Sequence, residues 1–310
     1  MTRWVGENKN FSWLLLALLG VIWGSNFLFM KLAVSIVPAL EVAWLRTLFG
    51  AIPIAAFALI RQSLDWRDWR YLHHFAAMAL LANVGPYVLF VVGTEHLPSG
   101  VVGAISGSIP FITAGVVAVA LPSEVLTRSK LIGIAVGFAG VLLVAPLGGG
   151  ASQPAGTSNL LGLAATLGGA VSYALALVYA RRFIVPLGMG AVRLASYQMI
   201  LAFVVMAPFA APGHWSVLAA HPIALAGLVI GLGLIGTGIA FVIYYNLIER
   251  LGALNAASVY YIPPVVALAI GATFAGETIG LKQIAGAMLI MAGIFYAKRP
   301  NRGMAQTRSS

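Results

Sequence analysis

The sequence predicts an all-α membrane protein with ten transmembrane helices, arranged as two inverted five-helix repeats with both termini in the cytoplasm. Hydrophobic residues make up 61% of the 310 residues and charged residues only 8%, whereas a soluble domain carries about 25% charge. A long internal repeat and ten apolar segments of about the length of a bilayer span are the other two observations. A water-soluble fold is excluded, because so many apolar side chains need a lipid environment.

The repeat covers residues 95–144 and 249–297, and each copy is two apolar helices around a short polar turn that carries one glutamate. The aligned pairs are Glu95 with Glu249, Leu97 with Leu251, Pro110 with Pro264 and, after a one-residue slip, Glu124 with Glu277, Gly133 with Gly286 and Gly140 with Gly293. With an odd number of spans in each half, the second half enters from the opposite face of the membrane. The duplication is therefore an inverted repeat, an architecture of many secondary transporters.

The ten predicted spans follow one another with short connections. They lie at 11–33, 39–60, 71–94, 97–121, 129–147, 158–180, 189–210, 222–248, 252–275 and 279–297. The first run lacks a small-residue cleavage site after a short core, so it is an uncleaved helix and not a signal peptide. The boundaries that follow are 1–147 for the first repeat, 148–157 for an external linker, 158–297 for the second repeat and 298–310 for a disordered cytoplasmic tail.

The basic residues predict the orientation and the partners. With cytoplasmic termini, most of the 18 Lys and Arg lie on the inner side, and the loops 148–158 and 211–222 carry none. The basic residues that give the net charge of +10 lie between apolar runs, which is typical of membrane anchoring and not of nucleic-acid binding. We expect a bilayer, a small-molecule substrate and a monomer, with a homodimer as the alternative. We expect no cofactor and no metal, because the five histidines lack metal-site spacing.

A polar and aromatic stripe runs along the third predicted helix. It contains Asn83, Pro86, Tyr87 and Phe90, and the matching stripe of the second half contains Thr237, Phe241 and Tyr244. Amides and hydroxyls are costly against lipid, so both stripes should face the bundle. The two alternatives are hydrogen bonding between helices and the lining of a substrate cavity. Since inverted symmetry gives both halves the same inward stripe, the cavity is favoured.

Prolines mark candidate hinges in both repeats. These are Pro86 in the third helix, Pro110 in the fourth, and Pro263 and Pro264 at the opening of the ninth. A proline inside a helix frees a backbone carbonyl, which then needs water, a hydroxyl or a ligand. Ser106 and Tyr260 lie one turn earlier and are candidates for that role. A static kink and a gating hinge are both open readings.

Two polar residues at depth are further candidates for substrate contact. Asn26 lies in the middle of the first helix, where it either packs against a neighbouring helix or contacts substrate. Arg46 lies little more than one turn deeper than Glu41 and is a functional candidate as an intramembrane charge. It either attracts a substrate carboxylate or stabilises a backbone carbonyl or Glu41. No carboxylate falls at a helix midpoint, which favours facilitated diffusion or exchange over proton coupling.

The chain resembles the drug/metabolite transporter superfamily, in its EamA-type ten-helix branch. The resemblance covers nearly the whole chain and is carried by WGSNFLFMK (Trp23 to Lys31), by Arg46, and by the block from Pro110 to Gly140 with its second copy from Pro264 to Gly293. The family usually has Gly-Glu after the fourth and ninth helices; here the first copy has Ser123-Glu124. The resemblance implies inner-membrane exporters of amino acids, metabolites and drugs, with an aromatic amino-acid exporter of the YddG kind as one match.

The favoured function is therefore export of small amphipathic metabolites, most of all amino acids, by alternating access around a central cavity. A proton-coupled drug or metabolite antiporter and a channel are the alternatives. An intramembrane enzyme is disfavoured, because Asp occurs only as Asp65 and Asp68 and no G-x-S-x-G or H-E-x-x-H motif is present.

Overall fold

The computed structural model describes residues 9–120, 128–145, 157–210, 213–251 and 256–297, and every regular element in these ranges is helical. The prediction of an all-α chain is therefore confirmed for this part of the sequence. The predicted linker lies outside the described residues except for Thr157, which begins a helix. The tail 298–310 and Glu124 of the first repeat copy also lie outside them.

The first half contains five helices, two of which change their winding along the way. They are α1 (Lys9–Val34), α2 (Ala39–Ile60), α3 (Leu72–Met78, a π-helical turn Ala79–Val84, and Gly85–His96), α4 (Ser99–Ser106 and Ile109–Ala120) and α5 (Arg128–Val144). A 3₁₀ helix, Trp66–Tyr71, precedes α3.

The second half has five comparable helices. They are α6 (Thr157–Tyr179, continuing as a π-helical turn Ala180–Ile184), α7 (Ala191–Met206), α8 (Pro222–Ala226, a π-helical stretch Gly227–Ile239, and Ala240–Leu251), α9 (a 3₁₀ turn Ala257–Tyr261 and Pro263–Phe274) and α10 (Leu281–Ala297). A short helix, Trp215–Ala219, lies between α7 and α8.

In the described part of the chain, six helices are long and apolar enough to cross a membrane: α1, α2, α3, α4, α6 and α8. The other four are apolar but shorter, at 10–17 residues. A 17-residue helix is about 26 Å long, near the lower limit for a span. Large apolar side chains such as Val119, Phe274 and Leu281 are about four-fifths exposed, as expected for lipid contact. Ten spans and cytoplasmic termini remain predictions.

Helices of the two halves pack against each other throughout the bundle. The contacting pairs include α1 with α8 and α9, α2 with α7 and α8, α3 with α6 and α7, α4 with α6 and α9, and α5 with α10. The α5–α10 pair is in backbone contact. A Cβ on Gly140 would lie 2.6 Å from the carbonyl oxygen of Gly286, and a Cβ on Gly286 would lie 2.7 Å from that of Gly140. Only glycine permits this approach.

Pro86 is accommodated by a change of winding. The π-helical turn Ala79–Val84 ends directly before it. The carbonyl of Leu81 accepts a hydrogen bond of 2.8 Å from the hydroxyl of Ser172 on α6. A hydroxyl from the other half therefore binds a backbone oxygen within the interrupted turn, as the sequence predicts for a proline in a membrane helix.

The other three prolines each begin a helical piece. Pro110 is the second residue of Ile109–Ala120, after a break at Gly107 and Ser108. Pro263 and Pro264 start the α-helical part of α9. We expected these prolines to interrupt continuous helices, but the first turn of a helix needs no backbone donor there, so no intrahelical hydrogen bond is lost.

Candidate functional site

A buried polar cluster forms where α2, α3 and α8 meet. The Nε of Arg46 donates a hydrogen bond of 2.9 Å to the hydroxyl of Thr237. The guanidinium lies over the ring of Tyr87, with Cζ 3.8 Å from the ring centroid, in the arrangement of a cation–π contact. The amide nitrogen of Asn83 lies 3.4 Å from the hydroxyl of Tyr87. Four side chains that the sequence singles out are thus brought together.

Arg46 is a buried cation with donors to spare. Arg46 is only 6% exposed, and its guanidinium carries a charge because arginine stays protonated in proteins. Among the described residues its hydrogen bond to Thr237 is the only one, and no carboxylate lies within ion-pair distance. The expected alternative partner, Glu41, instead contacts His214 at 2.8 Å. The two terminal guanidinium nitrogens therefore have donors available for a ligand.

Two amide groups carry unsatisfied oxygens in the same region. The nitrogen of Asn26 donates to the carbonyl of Gly236 at 3.1 Å, which joins α1 to α8. The Oδ1 atoms of Asn26 and Asn83 are buried and have no hydrogen-bond partner within the described structure. A buried polar atom without a partner is costly. These two oxygens are therefore free to accept hydrogen bonds.

A second group is aromatic and half-buried. The ring of Trp23 on α1 stacks on Tyr260 with centroids 5.3 Å apart, and lies 5.3 Å from Tyr244 and 6.2 Å from Phe241. Phe241 packs in the same apolar cluster as Tyr87, so the aromatic group adjoins the polar one. We call these four residues the aromatic group, and Arg46, Thr237, Tyr87 and Asn83 the polar cluster.

The remaining predicted residues lie apart from these contacts. Phe90 is buried between Phe27 and Tyr173, with centroids 6.1 and 6.0 Å away. Ser106 donates to the carbonyl of Gly103 in its own helix, and no contact in the described structure joins it to either group. Asn83, Tyr87 and Thr237 have no exposed surface, so in this structure they are packed inside the bundle and do not line an open cavity.

Sequence reasoning missed two further polar residues. Tyr173 of α6 packs against the apolar cluster that contains Tyr87. Gln198, a buried residue of α7 with an unpartnered Oε1, occupies the eighth position of its helix, as Arg46 does in α2. Aligning the starts of α2 and α7 would have paired these two buried polar residues. No group of three or more potential metal ligands occurs among the described residues.

The chain is similar to known membrane transporters. The profile of the EamA-like transporter family matches the chain twice, at residues 11–145 and 160–298. "Uncharacterized inner membrane transporter YedA" of Escherichia coli strain K12 is 30% identical over 84% of this chain and 81% of its own. "Probable amino-acid metabolite efflux pump" of Salmonella typhimurium is 27% identical, over 89% of this chain and 90% of its own.

A solved structure supports the same fold. Its title is "Crystal structure of protein", and it aligns with a TM-score of 0.60 at 20% sequence identity, over 98% of this chain and all of the other. The double profile match covers most of the chain and the relatives are named as transporters. The chain is therefore a multi-pass membrane protein that belongs to the EamA-like transporter family.

Proposed function

We propose that this protein exports small amphipathic metabolites, most of all amino acids including aromatic ones, across the inner membrane of a cell. The two halves would alternate their access around the polar cluster and the aromatic group, with the substrate moving down its own gradient. We place it there as a monomer with ten spans, cytoplasmic termini and two inverted repeats, 1–147 and 158–297. Two similar proteins support this, one named as an inner membrane transporter and the other as a probable amino-acid metabolite efflux pump.

The single observation that carries the proposal is the unpaired guanidinium of Arg46. A buried cation with free terminal donors is suited to bind a carboxylate in two parallel hydrogen bonds. The contacts with Thr237 and Tyr87 hold the guanidinium in place. An amino acid supplies a carboxylate, and few neutral drugs do.

Other groups match the rest of an amino acid. The unsatisfied amide oxygens of Asn26 and Asn83 suit an ammonium donor. The half-buried rings of Trp23, Tyr244 and Tyr260 offer an apolar surface with hydroxyl groups at its edge, which suits an aromatic or aliphatic side chain. Pro86, Pro110, Pro263 and Pro264 stand where the winding changes, and we propose that bending there opens the site to either face.

Facilitated diffusion is favoured over proton coupling by the position of the acids. The buried carboxylates Glu41 and Asp68 lie at helix ends and are paired with His214 and Arg193. The alternative, proton-coupled antiport, is favoured by one observation: the Glu41–His214 pair is itself a protonatable site on the outer side of the proposed topology.

Counterflow in proteoliposomes tests the proposal. Vesicles loaded with unlabelled phenylalanine should take up labelled phenylalanine, tryptophan and leucine without a pH gradient, and should take up labelled phenethylamine, which lacks the carboxylate, much more slowly. Protein-free vesicles are the control. The absence of counterflow for every amino acid would refute amino-acid transport, and a strong acceleration by an imposed pH gradient would favour the antiporter.

A further inference from the structure

Two pairs of polar side chains, each with one buried carboxylate, join the segments of α2 and α7 to the opposite half of the protein. At one end, Glu41 Oε2 lies 2.8 Å from His214 Nδ1. At the other end, Arg193 donates through Nε and Nη2 to both carboxylate oxygens of Asp68. A second carboxylate oxygen, Oδ2 of Asp65, lies 3.6 Å from Nη2 of Arg193. Glu41 and Asp68 are 2–3% exposed.

The two pairs are related by the inverted repeat. Glu41 is the third residue of α2, and Arg193 is the third residue of α7. Each is paired with a residue from the segment that follows the other helix: His214 after α7, and Asp68 after α2. The two helices therefore run antiparallel, and each pair ties one end of their shared interface. We call this interface the α2–α7 seam.

Further contacts tie the seam between its ends. The indole nitrogen of Trp44 on α2 donates to the carbonyl of Phe203 on α7 at 3.2 Å, and the two rings stack with centroids 5.3 Å apart. Near the inner end of the proposed topology, the hydroxyl of Tyr197 donates to the carbonyl of Asp65 at 2.9 Å. The seam is thus held along its length by groups from both halves.

Opening the Asp68 end of this seam would leave a buried carboxylate without its cationic partner, which is strongly destabilising. Opening the Glu41 end would leave a buried carboxylate without its hydrogen-bond partner, which is also costly. Arg193 gives independent support, because a cation in the first turn of a helix is disfavoured by the helix dipole. Its position is compensated by the two aspartates. The described contacts of the α5–α10 pair, in contrast, join glycines to backbone and to apolar side chains such as Val144 and Ile290.

We propose that the α2–α7 seam stays closed at both membrane faces throughout transport and serves as the fixed axis about which the halves move. Glu41, His214, Asp68 and Arg193 are then positioning residues for transport. The proposal rests on the alternating access proposed above. The contact between α4 and the segment after α9 must instead open during transport. There Glu277 accepts hydrogen bonds from the backbone nitrogens of Ser99 and Gly100.

Cross-linking tests this distinction, because the chain contains no cysteine. The double variants Glu41→Cys/His214→Cys and Asp68→Cys/Arg193→Cys each lose one of the two pairs and should transport phenylalanine slowly. A short flexible bismaleimide should restore the rate to at least half that of wild type, since the link replaces the pair. The matched pair Ser99→Cys/Glu277→Cys should lose counterflow by at least about tenfold when linked. Loss of counterflow on linking the seam would overturn the proposal.

A second measurement leaves both pairs intact and needs no transport. Spin labels at Ile60 and Leu187 report one end of the seam, and labels at Ser35 and Phe209 report the other; all four positions are exposed. Pulsed electron paramagnetic resonance in lipid nanodiscs, with and without phenylalanine, should give one narrow distribution of the distance between the two labels at each end. A second population at either end, displaced by about the rise of a helical turn, would refute the fixed seam. Absence of counterflow in the unmodified protein would count against the proposed function alone.

Discussion

Replacing Arg46 by glutamine is expected to weaken the transport of amino acids strongly while the protein still folds. The guanidinium is the one buried cation of the polar cluster, and removing one partner of a buried charge pair costs about 2–5 kcal/mol. A loss of affinity for phenylalanine of about 30-fold or more follows. Glutamine is a suitable replacement, because Gln198 occupies the same position in the second half and is also buried.

The measurement is counterflow of phenylalanine as a function of its concentration, with folding checked by size-exclusion chromatography. Arg61→Gln is the matched control, since Arg61 lies beyond the end of α2 and is exposed, and it should transport normally. Competition by phenethylamine, which has no carboxylate for Arg46 to bind, should weaken far less in the Arg46→Gln variant. An unchanged phenylalanine affinity in that variant would contradict the carboxylate role.

The second large effect is expected at Glu277. Its carboxylate accepts hydrogen bonds from the backbone nitrogens of Ser99 and Gly100, at 2.5 and 2.9 Å, at the start of α4. Hydrogen bonds to a charged acceptor each contribute about 1.5–3 kcal/mol, and a carboxylate at a helix N-terminus is favoured by the dipole. Glu277→Gln should therefore lower the apparent melting temperature by about 4–8 °C and loosen this end of the bundle.

Thermal melting in detergent measures the first effect, and the rate at which an impermeant thiol reagent labels a cysteine at Ser99 measures the second. Glu95→Gln is the matched control: Glu95 is exposed at the same end of the bundle, and its side chain caps no helix in the described structure. If the melting temperature and the labelling rate match those of the control, Glu277 does not hold this end of the bundle closed.

The Gly-Glu motif that supports the family resemblance has a structural explanation in the second copy. Gly276 adopts a left-handed conformation with φ +64°, which glycine tolerates best. The chain then turns back, and the nitrogen of Glu277 donates to the carbonyl of Gly271 at 3.0 Å. This turn aims the carboxylate at α4. Sequence alone pairs Glu277 with Glu124 but does not indicate which backbone groups a glutamate binds.

Composition and periodicity predicted the helical elements well, because burial in lipid demands long apolar runs that are visible in a single sequence. The changes of winding were less visible. Pro86 pointed to an interruption in α3, but the π-helical turn and the hydroxyl of Ser172 depend on a helix 91 residues away. The long π-helical stretch Gly227–Ile239 has no proline and gave no signal.

The candidate site was predicted in part for the same reason. Asn83, Tyr87 and Thr237 were found through the repeat, and the structure places them beside Arg46. Their complete burial was not foreseen, since a stripe on one helix does not reveal how closely its neighbours pack. The Arg193–Asp68 pair was also missed, because its two residues lie 125 positions apart in the sequence.

The most direct test of alternating access is side-selective labelling of the variant Tyr244→Cys in this otherwise cysteine-free chain. Right-side-out and inside-out vesicles are treated with a membrane-impermeant thiol reagent, with and without phenylalanine. A single site shared by two inverted halves predicts labelling from both faces and protection by phenylalanine at each. Labelling from one face alone, or labelling that phenylalanine does not slow, would contradict a central site with alternating access.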